Sequence, residues 1–248
     1  STPFQYYASV DDEPRTISGK CGDNAEWSYN TGTKVLTISG SGAVDRAVDS
    51  DTSKQKIEGL AEPYEVKERI TCSVKEIKIE EGITALAVSN LFGNVSKDED
   101  AEEIKLSLPD SLERINANTF APTTDAAYIR TIHLPRNVRY IEGGAFWGLG
   151  ATDTSDTFNE NLTITVDSKN PYYMTENNVL FTKDKKTLVY YPVEKTEQSY
   201  RIPKSVTKVE ALAFSRNPFL KKVVLPTGIT DIGAGAFYGD SKLSDINL

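Results

Sequence analysis

The chain has 248 residues, of which 38% are hydrophobic and 26% are charged, so it is long and apolar enough to bury a sizeable core. Its formal net charge is -8 and its isoelectric point is about 4.9. An acidic chain repels phosphate, which argues against nucleic acid as a partner and against binding to an anionic membrane surface. The sequence has no uncharged apolar run of about 18 residues, which argues against insertion into a membrane.

The N-terminal part of the chain carries the signals of a small β module. Residues 1–18 are predicted to be a linker, and residues 19–73 are predicted to form the module. Within it, alternating strands end at Tyr29 and begin at Lys34, and Asn30–Thr33 between them has the Asn and Gly of a hairpin turn.

A repeated apolar pattern occupies the chain from residue 74 to residue 248. Its two clearest copies, Ile129–Phe146 and Leu220–Phe237, both contain I/V-x-L-P, then V/I-x-x-I, then A-F. Weaker copies begin at Val74, Leu106 and Ile202, and a further one begins at Leu243. Spacing this regular predicts a repeat architecture.

Each part of the pattern has a physical role in a coil. In I-x-L the alternate residues of a short strand point inward, and the proline after them stops the strand from extending. The V/I-x-x-I segment supplies apolar groups on the returning side. Ala-Phe packs where the chain turns, and a glycine (Gly148 or Gly239) then allows a tight reversal. One coil cannot bury its own apolar face, so neighbouring coils are expected to stack.

Residues 162–202 interrupt the regular spacing and predict a β-hairpin inside the array. Two apolar runs, Val179–Phe181 and Leu188–Pro192, flank the charged turn Lys183–Lys186. The segment also holds five tyrosines, at positions 172, 173, 190, 191 and 200. They can form a platform on which a glycan stacks, but we favour the interpretation that they pack the hairpin against the array.

The pattern resembles the BspA-like leucine-rich repeats, whose consensus is approximately L-x-x-I-x-L-P-x-x-V-x-x-I-G-x-x-A-F-x-G. Ile232–Gly239 and Ile141–Gly148 match this consensus best, and the resemblance covers about residues 74–248. It implies a mostly β fold with short helical turns, namely a right-handed leucine-rich-repeat solenoid. Residues 19–73 are then an N-terminal β cap, and 162–202 are an elongated repeat with an internal β-hairpin insertion.

The two cysteines, Cys21 and Cys72, lack the spacing of a metal site. They fit either one disulfide in an exported protein or two inert thiols in a cytosolic one. The resemblance implies export, and on that condition we favour a disulfide that fastens the cap to the array.

The sequence shows no catalytic or metal-binding motif, and no metal or cofactor is expected. The single histidine, His133, is expected to point outward and lacks the partners that a triad or a metal site requires. Acidic runs at 45–51 and 98–103 lack the spacing of a calcium loop and are interpreted as solvated loops. A catalytic pair of carboxylates brought together by folding is the alternative that spacing alone leaves open.

The outward positions of the predicted strands are the candidate ligand-binding residues. These positions are Glu76, Lys78, Lys105, Ser107, Thr131, His133, Thr163, Thr165, Lys222 and Val224. The resemblance implies a secreted or cell-surface bacterial protein, extracellular in location, that adheres to a host or cell-surface protein or glycan. The alternatives are a structural spacer that presents another module and, least favoured, an enzyme.

Overall fold

The computed structural model describes residues 14–48, 56–57, 72–121, 128–147, 149, 162–193 and 195–247. Over these ranges the chain consists of short strands joined by turns. The first eleven strands are β1 (Thr16–Lys20), β2 (Ala25–Asn30), β3 (Val35–Gly40), β4 (Gly42–Val44), β5 (Lys56–Ile57), β6 (Cys72–Val74), β7 (Glu76–Ile79), β8 (Ile83–Leu86), β9 (Val95–Lys97), β10 (Lys105–Ser107) and β11 (Arg114–Ile115). The other eleven are β12 (Thr131–Leu134), β13 (Tyr140–Ile141), β14 (Thr163–Val166), β15 (Tyr173–Glu176), β16 (Val179–Thr182), β17 (Thr187–Tyr190), β18 (Ser199–Arg201), β19 (Lys208–Val209), β20 (Lys222–Val224), β21 (Asp231–Ile232) and β22 (Asp245–Asn247).

One side of the stacked coils is formed by what we term the front strands. They are β3, β7, β10, β12, β14, β18, β20 and β22, and each pairs in parallel with a front strand of a neighbouring coil. From β10 onward, the front strands described here lie at the positions of the I-x-L pattern or its equivalent. In β12 the pattern residues Ile132 and Leu134 are fully buried, so the predicted inward direction is confirmed.

A second side is formed by the return strands, which occupy the V/I-x-x-I segments. In the N-terminal part, β4, β8, β11 and β13 form a parallel sheet. In the C-terminal part, β17, β19 and β21 pair in parallel. Each return strand is only two to four residues long.

The third side of each coil is a chain of turns. The described residues contain no α-helix, and the turns close with backbone bonds between residues three apart, as from the amide of Trp147 to the carbonyl of Gly144 at 3.1 Å. The mostly β fold with short helical turns is therefore confirmed, with each turn too short to continue as a helix. Residues with a positive φ recur in these turns, as at Asn118 (57°), Gly144 (82°) and Leu212 (57°). This left-handed conformation prevents a helix from continuing. Backbone bonds join the turns of adjacent coils, as from the amide of Asn118 to the carbonyl of Gly144 at 3.1 Å. Gly239 also has a positive φ (74°), as its predicted role in a reversal requires, whereas Gly148 lies outside the described residues.

An aromatic ladder follows these turns through the core. Phe92, Phe120 and Phe146 are spaced by centroid distances of 6.1 Å, and Phe214 lies 5.0 Å from Phe237. The long interval between Phe146 and Phe214 is filled by Tyr190, 5.5 Å from Phe146, and by Tyr191, 4.8 Å from Phe214. The hairpin insertion therefore continues the ladder with tyrosines.

The cap extends the front face at its N-terminal end. β1, β2 and β3 form an antiparallel sheet, which confirms the predicted hairpin at Asn30–Thr33. β3 then pairs in parallel with β7, so the cap covers the strand edge that the first coil would otherwise expose. Because β1 begins at Thr16, the last three residues of the predicted linker 1–18 belong to this sheet.

The predicted hairpin is present and divides the core into two hydrophobic clusters. β15, β16 and β17 are antiparallel, and neighbouring side chains of β16 point to opposite sides. Leu180 packs with the cluster formed by the cap and the first coils, whereas Phe181 packs with the cluster formed by the other face of the hairpin and the later coils. The hairpin is thus an internal wall that is buried on both faces.

Candidate functional site

The exposed residues of the front strands form two rows across the coils. Strand pairing aligns Thr131 with Thr163 and His133 with Thr165, and the prolines Pro109 and Pro135 align β10 with β12. No strand pairing joins β14 to β18 in the described part of the chain, so each row has one segment from β3 to β14 and a second from β18 to β22, on the other side of the hairpin. We call the first the Thr131 row, which contains Val35, Glu76, Lys105, Thr131, Thr163, Ser199, Lys222 and Asp245. The second is the His133 row, which contains Thr37, Lys78, Ser107, His133, Thr165, Arg201, Val224 and Asn247.

The predicted candidate residues all lie in these two rows. Lys105, Ser107, Thr131, His133, Thr163 and Thr165 are exposed, and Lys222 is half-buried. The prediction missed β18, which adds Ser199 and the exposed Arg201. The signal that could have found them is the Ile202-Pro203 pair, because the same I/L-P pair ends the front strands of other coils.

Polar contacts within the rows are few and lie at the surface. Nδ1 of His133 lies 2.8 Å from Oγ1 of Thr165, across the β12–β14 pair. Lys78 lies 3.9 Å from Glu76 in its own strand. Lys222 lies 3.7 Å from Asp245 of the adjacent strand. The side chains that make these contacts are exposed or half-buried.

The two cysteines are buried and are not joined by a disulfide, so the expected Cys21–Cys72 bridge is absent. Cys21 lies in the turn between β1 and β2, where its amide donates to Ala25, whereas Cys72 begins β6 and pairs with β9. Burial raises the pKa of both thiols to about 12, and the carboxylates of Asp45 and Glu26 add to the effect at Cys21. Both groups are therefore neutral thiols, which argues against a nucleophilic role.

A buried carboxylate joins the cap to the array instead. Asp98 was expected in a solvated loop, but it is buried and lies 3.9 Å from the ammonium groups of both Lys34 and Lys75. It also accepts bonds from the hydroxyl of Ser73 at 3.3 Å and from the amide of Asp100 at 3.1 Å. Since Lys34 precedes β3 and Lys75 precedes β7, the carboxylate spans the junction between cap and first coil.

The tyrosines of residues 162–202 serve packing. Tyr173, Tyr190 and Tyr191 are buried, and the ring of Tyr200 lies 4.9 Å from that of Tyr191. Of the five, Tyr172 alone is exposed, at 46%. The glycan platform is therefore wrong for this set, and the interpretation that they pack the hairpin is confirmed.

The described residues also contain no group of three or more metal-ligating side chains. None of their segments is a helix long and apolar enough to cross a membrane.

Comparison with known proteins agrees with this architecture. The family described as the BspA type leucine rich repeat region matches the chain in six copies, over residues 98–169 and 190–248. No curated protein matches the chain significantly. A leucine-rich repeat protein from Eubacterium ventriosum has a similar structure, with 24% identity and a TM-score of 0.52 over 94% of this chain and 68% of that one.

Two further structures are similar over 92% of this chain, each at 19% identity. One is the pneumococcal vaccine antigen PcpA, with a TM-score of 0.49 over 69% of its own chain. The other is a leucine rich cell surface protein from Faecalibacterium prausnitzii, with a TM-score of 0.48 over 76% of its chain.

Proposed function

Because the chain belongs to the BspA-type leucine-rich-repeat family, we propose that it is a secreted or cell-surface bacterial protein that binds a host or cell-surface protein or glycan through its front strands. The observation that carries this proposal is the pair of exposed rows, in which polar side chains recur from coil to coil at the spacing of adjacent strands. Such a surface can contact an extended partner at many points at once.

The chemistry of the described residues supports binding over catalysis. The single histidine bonds to a threonine hydroxyl, and the two thiols are buried and neutral. A triad needs a nucleophile, a base and an orienting group in mutual contact. The histidine and the two thiols do not form such a triad among the described residues.

The test is a binding screen of the chain against extracellular-matrix proteins and glycans, with a double variant in the middle of the front face. Thr131→Glu and Thr163→Glu place two carboxylates on neighbouring exposed positions. We expect saturable binding to at least one ligand, and we expect the double variant to abolish it with folding intact.

Thr227→Glu with Thr230→Glu is the matched control, because it adds the same charge at exposed positions between β20 and β21. This control is expected to bind like the parent chain. Binding that both double variants retain would place the site on another surface. No binding at tens of micromolar would overturn the proposal and leave the spacer as the better interpretation.

A further inference from the structure

The two rows of the front face carry more basic than acidic side chains, although the chain as a whole is acidic. The whole chain has a net charge of -8. The two rows nevertheless carry four cationic side chains, Lys78, Lys105, Arg201 and Lys222, against two carboxylates. Those carboxylates, Glu76 and Asp245, lie near the two ends of the Thr131 row and are close to lysines, at 3.9 Å and 3.7 Å.

The His133 row contains no carboxylate at all among its described members. From β7 to β14 it alternates basic and hydroxyl-bearing side chains in the order Lys78, Ser107, His133 and Thr165, and Arg201 follows on β18, beyond the hairpin. Lys78 and His133 lie two strands apart, which corresponds to about 10 Å because adjacent strands are separated by about 4.8 Å. All five side chains are exposed.

This pattern matches the chemistry of an acidic polysaccharide. Such a polymer carries carboxylate or sulfate groups at regular intervals of a disaccharide and presents hydroxyls between them. Lysine and arginine bind the anionic groups, and the serine and threonine hydroxyls exchange hydrogen bonds with the sugar hydroxyls. An acidic protein partner fits less well, because protein interfaces depend on aromatic and apolar anchors in pockets, and the His133 row offers one half-buried valine, Val224.

We propose that the His133 row binds an acidic polysaccharide lying across the strands, with its anionic groups at Lys78 and Arg201. This inference rests on the proposed function, since it specifies the partner of the same face. Binding through exposed ion pairs is screened by salt, whereas binding through hydrogen bonds and apolar contacts is much less so.

The experiment measures the affinity of the chain for a sulfated polysaccharide, a polyuronate and neutral dextran at 0.05, 0.15 and 0.5 M NaCl. The key variant is Lys78→Gln with Arg201→Gln. Its control is Lys183→Gln with Lys242→Gln, which removes the same charge from exposed positions outside both rows. Unchanged urea unfolding of both variants shows that the fold is intact.

We expect binding to an acidic polymer and none to dextran. The affinity should fall steeply with salt and should drop about three- to tenfold in the key variant, as loss of two exposed ion pairs predicts. The control should lose less than twofold.

Other outcomes overturn the inference in distinguishable ways. Equal affinity for duplex DNA or poly-glutamate would show a general attraction to anions, with no polysaccharide site. Binding to dextran or to a protein that Thr131→Glu with Thr163→Glu abolishes, but Lys78→Gln with Arg201→Gln leaves unchanged, would refute the acidic ligand and keep the proposed function. No binding to either acidic polysaccharide would refute this inference alone, whereas the proposed function is refuted only if the matrix proteins and glycans of the earlier screen also fail to bind.

Discussion

At the scale of single residues, two buried asparagines form hydrogen bonds to backbone groups of the loops beside the hairpin. Asn170 and Asn217 each precede a proline, and both side chains are fully buried. The amide group of Asn217 donates to the carbonyls of Val193 and Lys195, at 3.3 and 3.1 Å. Its side-chain oxygen accepts from the amides of Phe219 and Leu220, at 2.8 and 2.9 Å.

Asn170 makes the equivalent four bonds, to Pro135, Val138, Tyr172 and Tyr173. Each asparagine therefore satisfies four backbone groups that the fold withdraws from water.

We expect Asn217→Ala to lower the free energy of unfolding by about 2–4 kcal/mol, because it leaves several buried backbone groups without a partner. Urea unfolding followed by circular dichroism measures the change. Asn137→Ala is the control, since Asn137 is exposed and makes one bond, to the carbonyl of Asp110 at 2.7 Å. A loss below about 0.5 kcal/mol in Asn217→Ala would contradict the role assigned to the four bonds.

Asp240 makes stability depend on pH near neutrality. Its Oδ1 accepts from the amide of Asn217 at 2.9 Å, while its Oδ2 is buried without a partner in the described part of the chain. Burial raises the pKa of Asp240 to about 7. The native state thus favours the protonated acid, and its contribution to stability is present below about pH 4 and is lost as the pH rises through 7.

Accordingly, the melting temperature of the parent chain should fall between pH 5 and pH 8, and it should fall less in Asp240→Asn, which keeps a neutral side chain of the same shape. Thermal unfolding of both proteins across this range checks the difference. Parallel curves would show that Asp240 is ionised in the native protein throughout.

At the scale of the elements, two coils approach closely at Gly233 because glycine has no side chain. A Cβ added to Gly233 would meet the backbone of Glu210 and Ala211 in the neighbouring coil. Backbone atoms cannot rotate away, so the two coils would have to separate. Gly228 lies in the same coil, and a Cβ there would meet nothing within 4 Å.

Gly233→Ala is therefore expected to lower the free energy of unfolding by about 1–3 kcal/mol, as overpacking does. Gly228→Ala should change it by less than about 0.5 kcal/mol. Urea unfolding of the two variants side by side makes the comparison. Equal effects would mean that the contact at Gly233 relaxes freely.

The sequence predicted the elements whose residues alternate, and it failed where burial depends on distant partners. The strand at Ile132 and Leu134 was predicted because its inward and outward residues alternate and a proline ends it. Val179–Phe181 was predicted as a strand, but a continuous apolar run does not reveal that both of its faces are buried.

The residues between cap and array show the same limit. Nothing local distinguishes Asp98 from its exposed acidic neighbours, because its burial comes from Lys34, Lys75 and Ser73, which are 23 or more positions away. The Cys21–Cys72 bridge failed for a related reason, since an even number of cysteines says nothing about whether the fold brings them together. The exposed candidate residues were predictable because their direction follows from alternation alone.

At the scale of the whole molecule, the hairpin separates two cores that share one wall. Leu180 and Phe181 are adjacent and fully buried, yet they belong to different clusters. Either one replaced by alanine should destabilise its own core by about 2–5 kcal/mol. The core that carries the substitution should then open more readily than the other core.

Hydrogen–deuterium exchange measures this separation. Leu180→Ala should speed exchange mainly in the strands from β1 to β14, and Phe181→Ala should speed it mainly in those from β18 to β22. If both variants speed exchange uniformly along the chain, the protein unfolds as one unit and the wall does not separate the cores energetically.

The hairpin also determines the order in which the two cores can form during synthesis of the chain. A chain that emerges from the ribosome N-terminus first has every residue of the first core once Tyr190 is available. At that moment Val179, Phe181 and Leu188 still face solvent, because the coils that cover them have not been synthesised. The hairpin therefore first covers the end of the first core while its own outer, apolar face is exposed. That face then becomes the surface on which the second half of the array packs.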